Sequence, residues 1–184
     1  MRQLELPFPP EYIEIPLSKR SKKYAGLYVT IVSQEDADLA ELNWKVKGVT
    51  GNTQYAVRNI NRKGKYTEVI LHRVILERSL GRPLEKHEDV DHIDQNGLNN
   101  TRTNLRPATR TQNQANKGLQ RSNTSGYKGI VWLEREQKWY AQIRVNRRGI
   151  YLGRYKTKED AYAAYCEAAK KYFGEFAYLG DTAA

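Results

Sequence analysis

An aspartate followed directly by a histidine sits in the run Val90-Asp91-His92-Ile93-Asp94, with Asn104-Leu105-Arg106 downstream and Asn113 in a polar helical stretch beyond it. Side chains of a strand alternate between its faces, so a short strand ending at Asp91-His92 sends carboxylate and imidazole to opposite sides of the backbone. One can hold a cation while the other faces substrate. A hard cation such as Mg²⁺ takes a few oxygen ligands and keeps several waters, so the Asp91 carboxylate with the Asn113 amide oxygen would suffice as the protein's share. A neutral His92 is then placed to take a proton from an attacking water. A calcium loop would compete for Asp89, Asp91 and Asp94. It is set aside, because Ile93 occupies the next alternate position and no bidentate Glu closes the loop.

Elements that must position these residues can be read on either side. From Tyr24 to Leu71 the pattern is of short strands: Leu27, Val29 and Ile31 alternate, Gln34 to Leu42 reads as a helix after Ser33, and Trp44-Lys45-Val46 resumes an extended run. Tyr55 to Ile60 and Tyr66 to Leu71 read as a hairpin across Asn61-Arg62-Lys63-Gly64, whose basic side chains read as solvated turn residues. A helix from about His72 to Leu80 ends at Gly81, with Pro83 beyond it. His72 reads as structural and His87 as a solvated loop residue. Taken singly, Asp-His pairs and Asn-rich turns are ordinary surface chemistry. The ordered set carries the reading.

The stretch from His72 to Lys117 resembles the HNH endonucleases, in particular homing-type members built on a strand, strand, helix metal unit. The resemblance implies that Asp91 binds the cation, His92 is the general base, Asn104 in the second strand pins the loop carrying the histidine, and Asn113 on the helix completes the metal site. Asn116 lies about one helical turn further and would replace Asn113 if the helix phase differed. The resemblance also implies Mg²⁺ as cofactor, with Mn²⁺ as a substitute, and products with a 3′-hydroxyl and a 5′-phosphate. Members with a structural zinc differ, because this chain has no cysteine pairs to hold one.

Composition points to a nucleic-acid partner. Thirty-one Lys and Arg against 21 Asp and Glu give a formal charge of +10, a surface that attracts phosphate through counterion release. Basic residues run from the nuclease-like segment to the C-terminal block as Arg106, Arg110, Lys117, Arg121, Lys128, Lys138, Arg144, Arg147, Arg148 and Arg154. After the polar stretch Lys117 to Gly126, which reads as a linker, three strands are predicted at Tyr127 to Leu133, Lys138 to Asn146 and Ile150 to Tyr155. A helix follows from Thr157, with Asp160 three residues on and Ala161, Ala164, Tyr165, Ala168, Ala169 and Tyr172 on one face. Cys166 lies at the margin of that stripe, as packing. In the middle strand Trp139, Ala141, Ile143 and Val145 point to the helix, leaving Tyr140, Gln142, Arg144 and Asn146 on the open face.

Tyr127-Lys128-Gly129, Ala141-Gln142-Ile143-Arg144, Tyr151-Leu152-Gly153 and Glu159-Asp160-Ala161 resemble the ethylene-response-factor type of DNA-binding domain, in which three strands lie in the major groove. That resemblance implies DNA contacts from Lys128, Gln142, Arg144, Tyr151 and Arg154, with Arg144 the foremost candidate for reading a base. An Arg bonded bidentately to guanine discriminates by about 1–3 kcal/mol. Plant members carry Trp where this chain has Tyr151, so base preference does not transfer. Arg106 and Arg110 are candidate phosphate contacts.

The expected molecule is α+β, with a small β-rich N-terminal module over 1–71, a ββα-metal nuclease core over 72–117, a linker over 118–126, and a three-stranded antiparallel sheet packed on one helix over 127–184. It is expected to be a monomer acting on double-stranded DNA, with no membrane partner. The alternative is a non-enzymatic DNA-binding regulator with a vestigial nuclease fold. A single cysteine and the absence of a signal-like apolar segment predict an intracellular, cytoplasmic protein, within the host cell if a phage encodes it.

Overall fold

The computed structural model describes residues 12–18, 28–48, 53–120 and 122–180, and of Arg62 the backbone alone. Leu27 and Arg121 of the sequence reading lie outside the described residues. The architecture is α+β, with several small sheets and few helices. Among the described residues two compact units form, one reaching Glu85 and including His92–Pro107, the other taking Lys86–Asp91 and the chain from Ala108 onward.

In the first unit β1 (Tyr12–Pro16) pairs antiparallel with β2 (Val29–Ser33). Strand β1 was not expected. Its alternating Ile13 and Ile15 nonetheless suit a sheet, and Ile15 is buried. The stretch expected as an α-helix after Ser33 is a 3-10 helix, Gln34–Glu41, broken at Asp36 (φ −112°, ψ 17°). Asp36 is fully buried there, and its carboxylate is clasped by Arg102 Nε at 2.7 Å and Nη2 at 3.0 Å. Strands β3 (Lys45–Lys47), β4 (Tyr55–Arg62) and β5 (Lys65–Ile70) form one antiparallel sheet. The β4–β5 turn is tighter than expected: Lys63 and Gly64 alone make it, with φ of 50° and 81°. Two successive positive φ values match the twist of the flanking strands. Helix α1 (Leu71–Leu80) buries Leu71, Ile75 and Leu76 and stops at Gly81 in the left-handed conformation, as its sequence predicts.

Strands β6 (Glu88–His92) and β8 (Leu105–Thr109) form a two-stranded sheet, and the chain passes between the two units within them. Between them, β7 (Asn99–Asn100) pairs parallel with β2, placing Asn100 opposite Val32. Thr109 then starts α2 (Arg110–Asn116) through a capping box: its hydroxyl accepts from the Gln112 amide, and the Gln112 side chain accepts from the Thr109 amide.

The second unit ends in the sheet β9 (Ile130–Leu133), β10 (Lys138–Val145) and β11 (Arg148–Tyr155), with β10 central, packed on α3 (Lys158–Phe173). Strand β9 starts later than predicted because the Asn123 amide and the Ser125 hydroxyl donate to the Tyr127 carbonyl while Gly126 N–H donates to Asn123 Oδ1, closing a polar turn, and Gly129 has a φ of 77°. The α3 start is as read, with the Thr157 hydroxyl accepting from the Asp160 amide. Ala141 and Ile143 bury against Ala161, Tyr165, Ala168 and Ala169. Tyr172, expected on this face, is 42% exposed and Ala164 is half-buried; Tyr162 and Phe173 complete the stripe beside the four residues buried as read. Cys166 packs at the edge of this core.

Candidate functional site

His92, at the end of β6, is buried in the first unit with its Nε2 3.1 Å from Asn100 Oδ1. The proton on that nitrogen follows from the partners behind it. The Thr30 hydroxyl donates to the Leu98 carbonyl at 2.7 Å, an atom that can only accept. Thr30 must therefore receive the Asn100 amide N–H, which lies 2.7 Å away. That turns the Asn100 oxygen toward His92, so Nε2 donates and Nδ1 carries the lone pair of the neutral ring. A relay of fixed polarity, rooted in β2 and β7, thus sets the tautomer.

Two further rings bound His92. His72, at the start of α1, lies edge-on at 5.1 Å between centroids, and Tyr55 of β4 lies at 6.0 Å. Burial pushes the His72 pKa down to about 3, helped by the neighbouring His92 and Arg73, and its Nδ1 is buried without a hydrogen-bond partner. His72 thus stays neutral beside His92.

Asn104 closes the loop that follows the histidine. Its amide N–H₂ donates to Asp94 Oδ1 and to the Asn99 carbonyl, both at 2.8 Å, while its Oδ1 accepts from the Asp94 amide at 3.0 Å. Its own carbonyl accepts from Ile93 N–H. Asn104 ends a short 3-10 helix, Arg102–Asn104, rather than lying in the second strand as expected. That helix is held by the Asp36–Arg102 pair and by the Ser33 hydroxyl, which accepts from the Arg102 amide.

Asp91 is 2% exposed, and its Oδ1 accepts from Asn116 Nδ2 at 3.0 Å within the second unit. Asn113 donates instead to the Val90 carbonyl at 3.1 Å. Of the two helix asparagines, Asn116 is the one bonded to the carboxylate. Asn113 is anchored by its nitrogen, which leaves Oδ1 as the accepting end of its amide. Among the described residues no group of three or more His, Cys, Asp or Glu gathers. A carboxylate and an amide oxygen are hard ligands of the kind that divalent cations accept alongside water.

In the C-terminal sheet Gln142 and Arg144 are exposed on β10. Gln142 faces Tyr151 across the strands, and Tyr151, 55% exposed, stacks on Tyr140 at 5.2 Å. Arg154 pairs with Tyr140 and forms a 3.1 Å ion pair with Glu136. Arg106 is half-buried on β8 and Arg110 exposed at the start of α2. Lys128, expected at DNA, is directed elsewhere: its ammonium donates to the carbonyls of Ala115 and Lys117, both at 2.6 Å, at the end of α2. Burial there pushes its pKa down to about 8.

Thr30, Asn100 and Tyr55 were missed from sequence. The Asn99-Asn100 doublet was the one visible signal, and it reads equally as a turn.

Residues 69–115 match the sequence profile of a family described as HNH endonuclease. An uncharacterized HNH endonuclease of Acanthamoeba polyphaga mimivirus is 37% identical over 107 residues, covering 58% of this chain and 54% of that protein. Protein 3.8 of Escherichia phage T7 is 42% identical over 61 residues, 33% of this chain and 50% of its own length. The chain spans about half the length of the curated relatives it matches. No solved structure matches it. The match to the HNH endonuclease family is confined to residues 69–115. No helix among the described residues is long and apolar enough to cross a membrane.

Proposed function

We propose that this protein is a Mg²⁺-dependent DNA endonuclease of homing type, also served by Mn²⁺, whose ββα-metal core lies within 72–117. The observation that carries the reading is the relay Leu98, Thr30, Asn100, His92, in which Nε2 donates to Asn100 and Nδ1 is the ring atom that would take a proton. His92 Nδ1 takes the proton of a water that attacks the phosphorus in line. The P–O bond to the 3′ oxygen breaks, giving a 3′-hydroxyl and a 5′-phosphate. Asp91 and Asn113 would hold a divalent cation, whose chemistry there is to offset charge on the phosphate and leaving oxygen. Asn116 fixes the Asp91 carboxylate, and Asn104 holds the 93–99 loop in the shape that follows His92.

Recognition in this reading belongs to the open face of the C-terminal sheet, through Gln142, Arg144, Tyr151 and Arg154, with Arg106 and Arg110 on flanking phosphates. Lys128 supports α2 instead. The test is cleavage of a supercoiled plasmid library with and without Mg²⁺, followed by mapping of the ends. Cation-dependent ends with 3′-hydroxyl and 5′-phosphate are expected. Binding without cleavage in Mg²⁺ and in Mn²⁺ would overturn the enzyme reading in favour of a DNA-binding regulator.

A further inference from the structure

The helix that carries Asn113 and Asn116 is too short to hold its own shape. α2 has seven residues, and isolated helices below about 12–15 residues are marginal in water. A capping box closes its N-terminal end, but the carbonyls of its last turn have no partner within the helix. Asn116 is its final residue, so fraying there would break the bond to the Asp91 carboxylate. The missing partners come from the C-terminal layer of the same unit. Lys128, in the turn before β9, sends its ammonium to the Ala115 and Lys117 carbonyls, each at 2.6 Å, with the Gln114 carbonyl at 3.5 Å. The two short bonds bracket Asn116. Tyr178, beyond α3, donates its amide N–H to the Ala115 carbonyl at 3.3 Å, and its ring centre lies 5.6 Å from the Lys128 ammonium. Ala115 itself is buried in one apolar cluster with Ile130, Ala141 and Ala161. A cation at this end also meets the negative pole of the helix dipole.

We propose that Lys128 is a positioning residue for the cation site: by gripping the carbonyls on either side of Asn116 it fixes the last turn of α2, and through it the Asp91 carboxylate and the Asn113 amide. The inference rests on the nuclease reading above and its cation assignment. Asn116 donates to Asp91 Oδ1 and Asn113 to the Val90 carbonyl, so unwinding the end of α2 disturbs both ligands together. A small hard cation is strict about where its oxygen ligands sit, and their displacement weakens binding. The C-terminal layer thereby has a second task beside contact with DNA.

The experiment uses the full chain. Mn²⁺ binding is titrated by electron paramagnetic resonance without DNA, and plasmid cleavage is titrated with Mg²⁺, for wild type, Lys128→Met and Lys128→Arg. Met keeps the stem and removes the ammonium, whereas Arg keeps the charge. Lys128→Met should bind Mn²⁺ about 10-fold more weakly and need about 10-fold more Mg²⁺ for half-maximal cleavage, the usual scale for a partner behind a metal ligand. Its rate at saturating Mg²⁺ and its DNA affinity in EDTA should stay near wild type, and Lys128→Arg should recover most of the cation affinity. Unchanged Mn²⁺ affinity in Lys128→Met overturns the inference, and a shallower salt slope for DNA binding beside it would return Lys128 to the DNA surface. If Lys128→Met does not fold, hydrogen exchange of the Tyr178 amide in wild type decides, because coupling is reciprocal: Mg²⁺ should slow it, and an unchanged rate overturns the inference. Wild type that binds Mn²⁺ but leaves the plasmid uncut counts against the nuclease reading alone, and the Mn²⁺ affinities still decide the role of Lys128. Wild type that binds no Mn²⁺ removes the cation assignment and this inference with it.

Discussion

Around His92 the buried groups are Thr30, Asn100 and Asn104; beneath the C-terminal sheet they are Ala141, Ile143, Ala161 and Ala169. The first region positions its side chains with directional bonds, each depending on the polarity of the next. The second positions them by close packing, which is tolerant of chemistry but not of volume. In the proposed chemistry a proton must sit on one particular nitrogen of His92, and only hydrogen bonds can specify that. Presenting Gln142, Arg144 and Tyr151 on an open face asks only that the opposite face be fixed. The two regions should therefore fail in different ways.

The largest expected effect is on chemistry. His92→Ala should reduce cleavage by about 10²–10⁴-fold, the usual contribution of a positioned base, with little change in DNA affinity. Single-turnover cleavage beside a binding isotherm measures both, and near-normal cleavage would remove His92 from the mechanism.

Packing is tested at Gly129. An added Cβ would run into the Tyr165 ring and lie 2.6 Å from the Gln142 carbonyl oxygen, at a φ of 77° that side chains avoid. Gly129→Ala should cost roughly 2–4 kcal/mol in denaturant unfolding through overpacking and strain. A melt like wild type would mean that the layer is looser than described.

Asn100 sharpens the contrast, because its effect should fall mainly on rate. Asn100→Ala removes the group that sets the His92 proton and should lower cleavage about 10- to 100-fold. Asn100→Asp, which still accepts from Nε2, should retain more activity. Equal rates for the two variants would dissolve the relay argument.

The smallest expected effect concerns pH. His72 has a folded pKa of about 3 against 6.5 for the free group, so above pH 6.5 neither state holds its proton and its contribution is complete. Below pH 6.5 the unfolded chain binds a proton that the folded chain refuses, and stability falls by about 1 kcal/mol per pH unit toward pH 3. Urea unfolding at pH 7 and pH 5 should show this, and His72→Phe should flatten it. An undiminished pH slope in that variant would place the sensitivity elsewhere.

The same contrast explains what could be read from sequence. Alternation along Trp139 to Val145 and the Thr157 cap were legible because apolar burial and capping leave local periodic marks. Asp91, His92 and Asn104 stood out as an ordered motif, and Asn104 does tie the loop that follows His92. Thr30 and Asn100 were not, because their bond joins residues 70 positions apart and no period records it. The choice between Asn113 and Asn116 was open for a related reason: α2 is short and polar, with no apolar stripe to establish its phase. The break at Asp36 reflects its distant partner, Arg102.

The parallel pairing of Val29–Ser33 with Asn99–Asn100 also bears on how the molecule is made. Contacts so distant along the chain form slowly, since the intervening loop must close before they are rewarded. Synthesis delivers Val29–Ser33 first, and its edge opposite β1 waits for a partner until residue 100 has left the ribosome. A fragment beginning at residue 69 carries His92 without the threonine that orders its proton, and a nascent chain carries it before Asn100 has emerged to join the two. Cutting power would then arrive late, after strands far apart in synthesis have met.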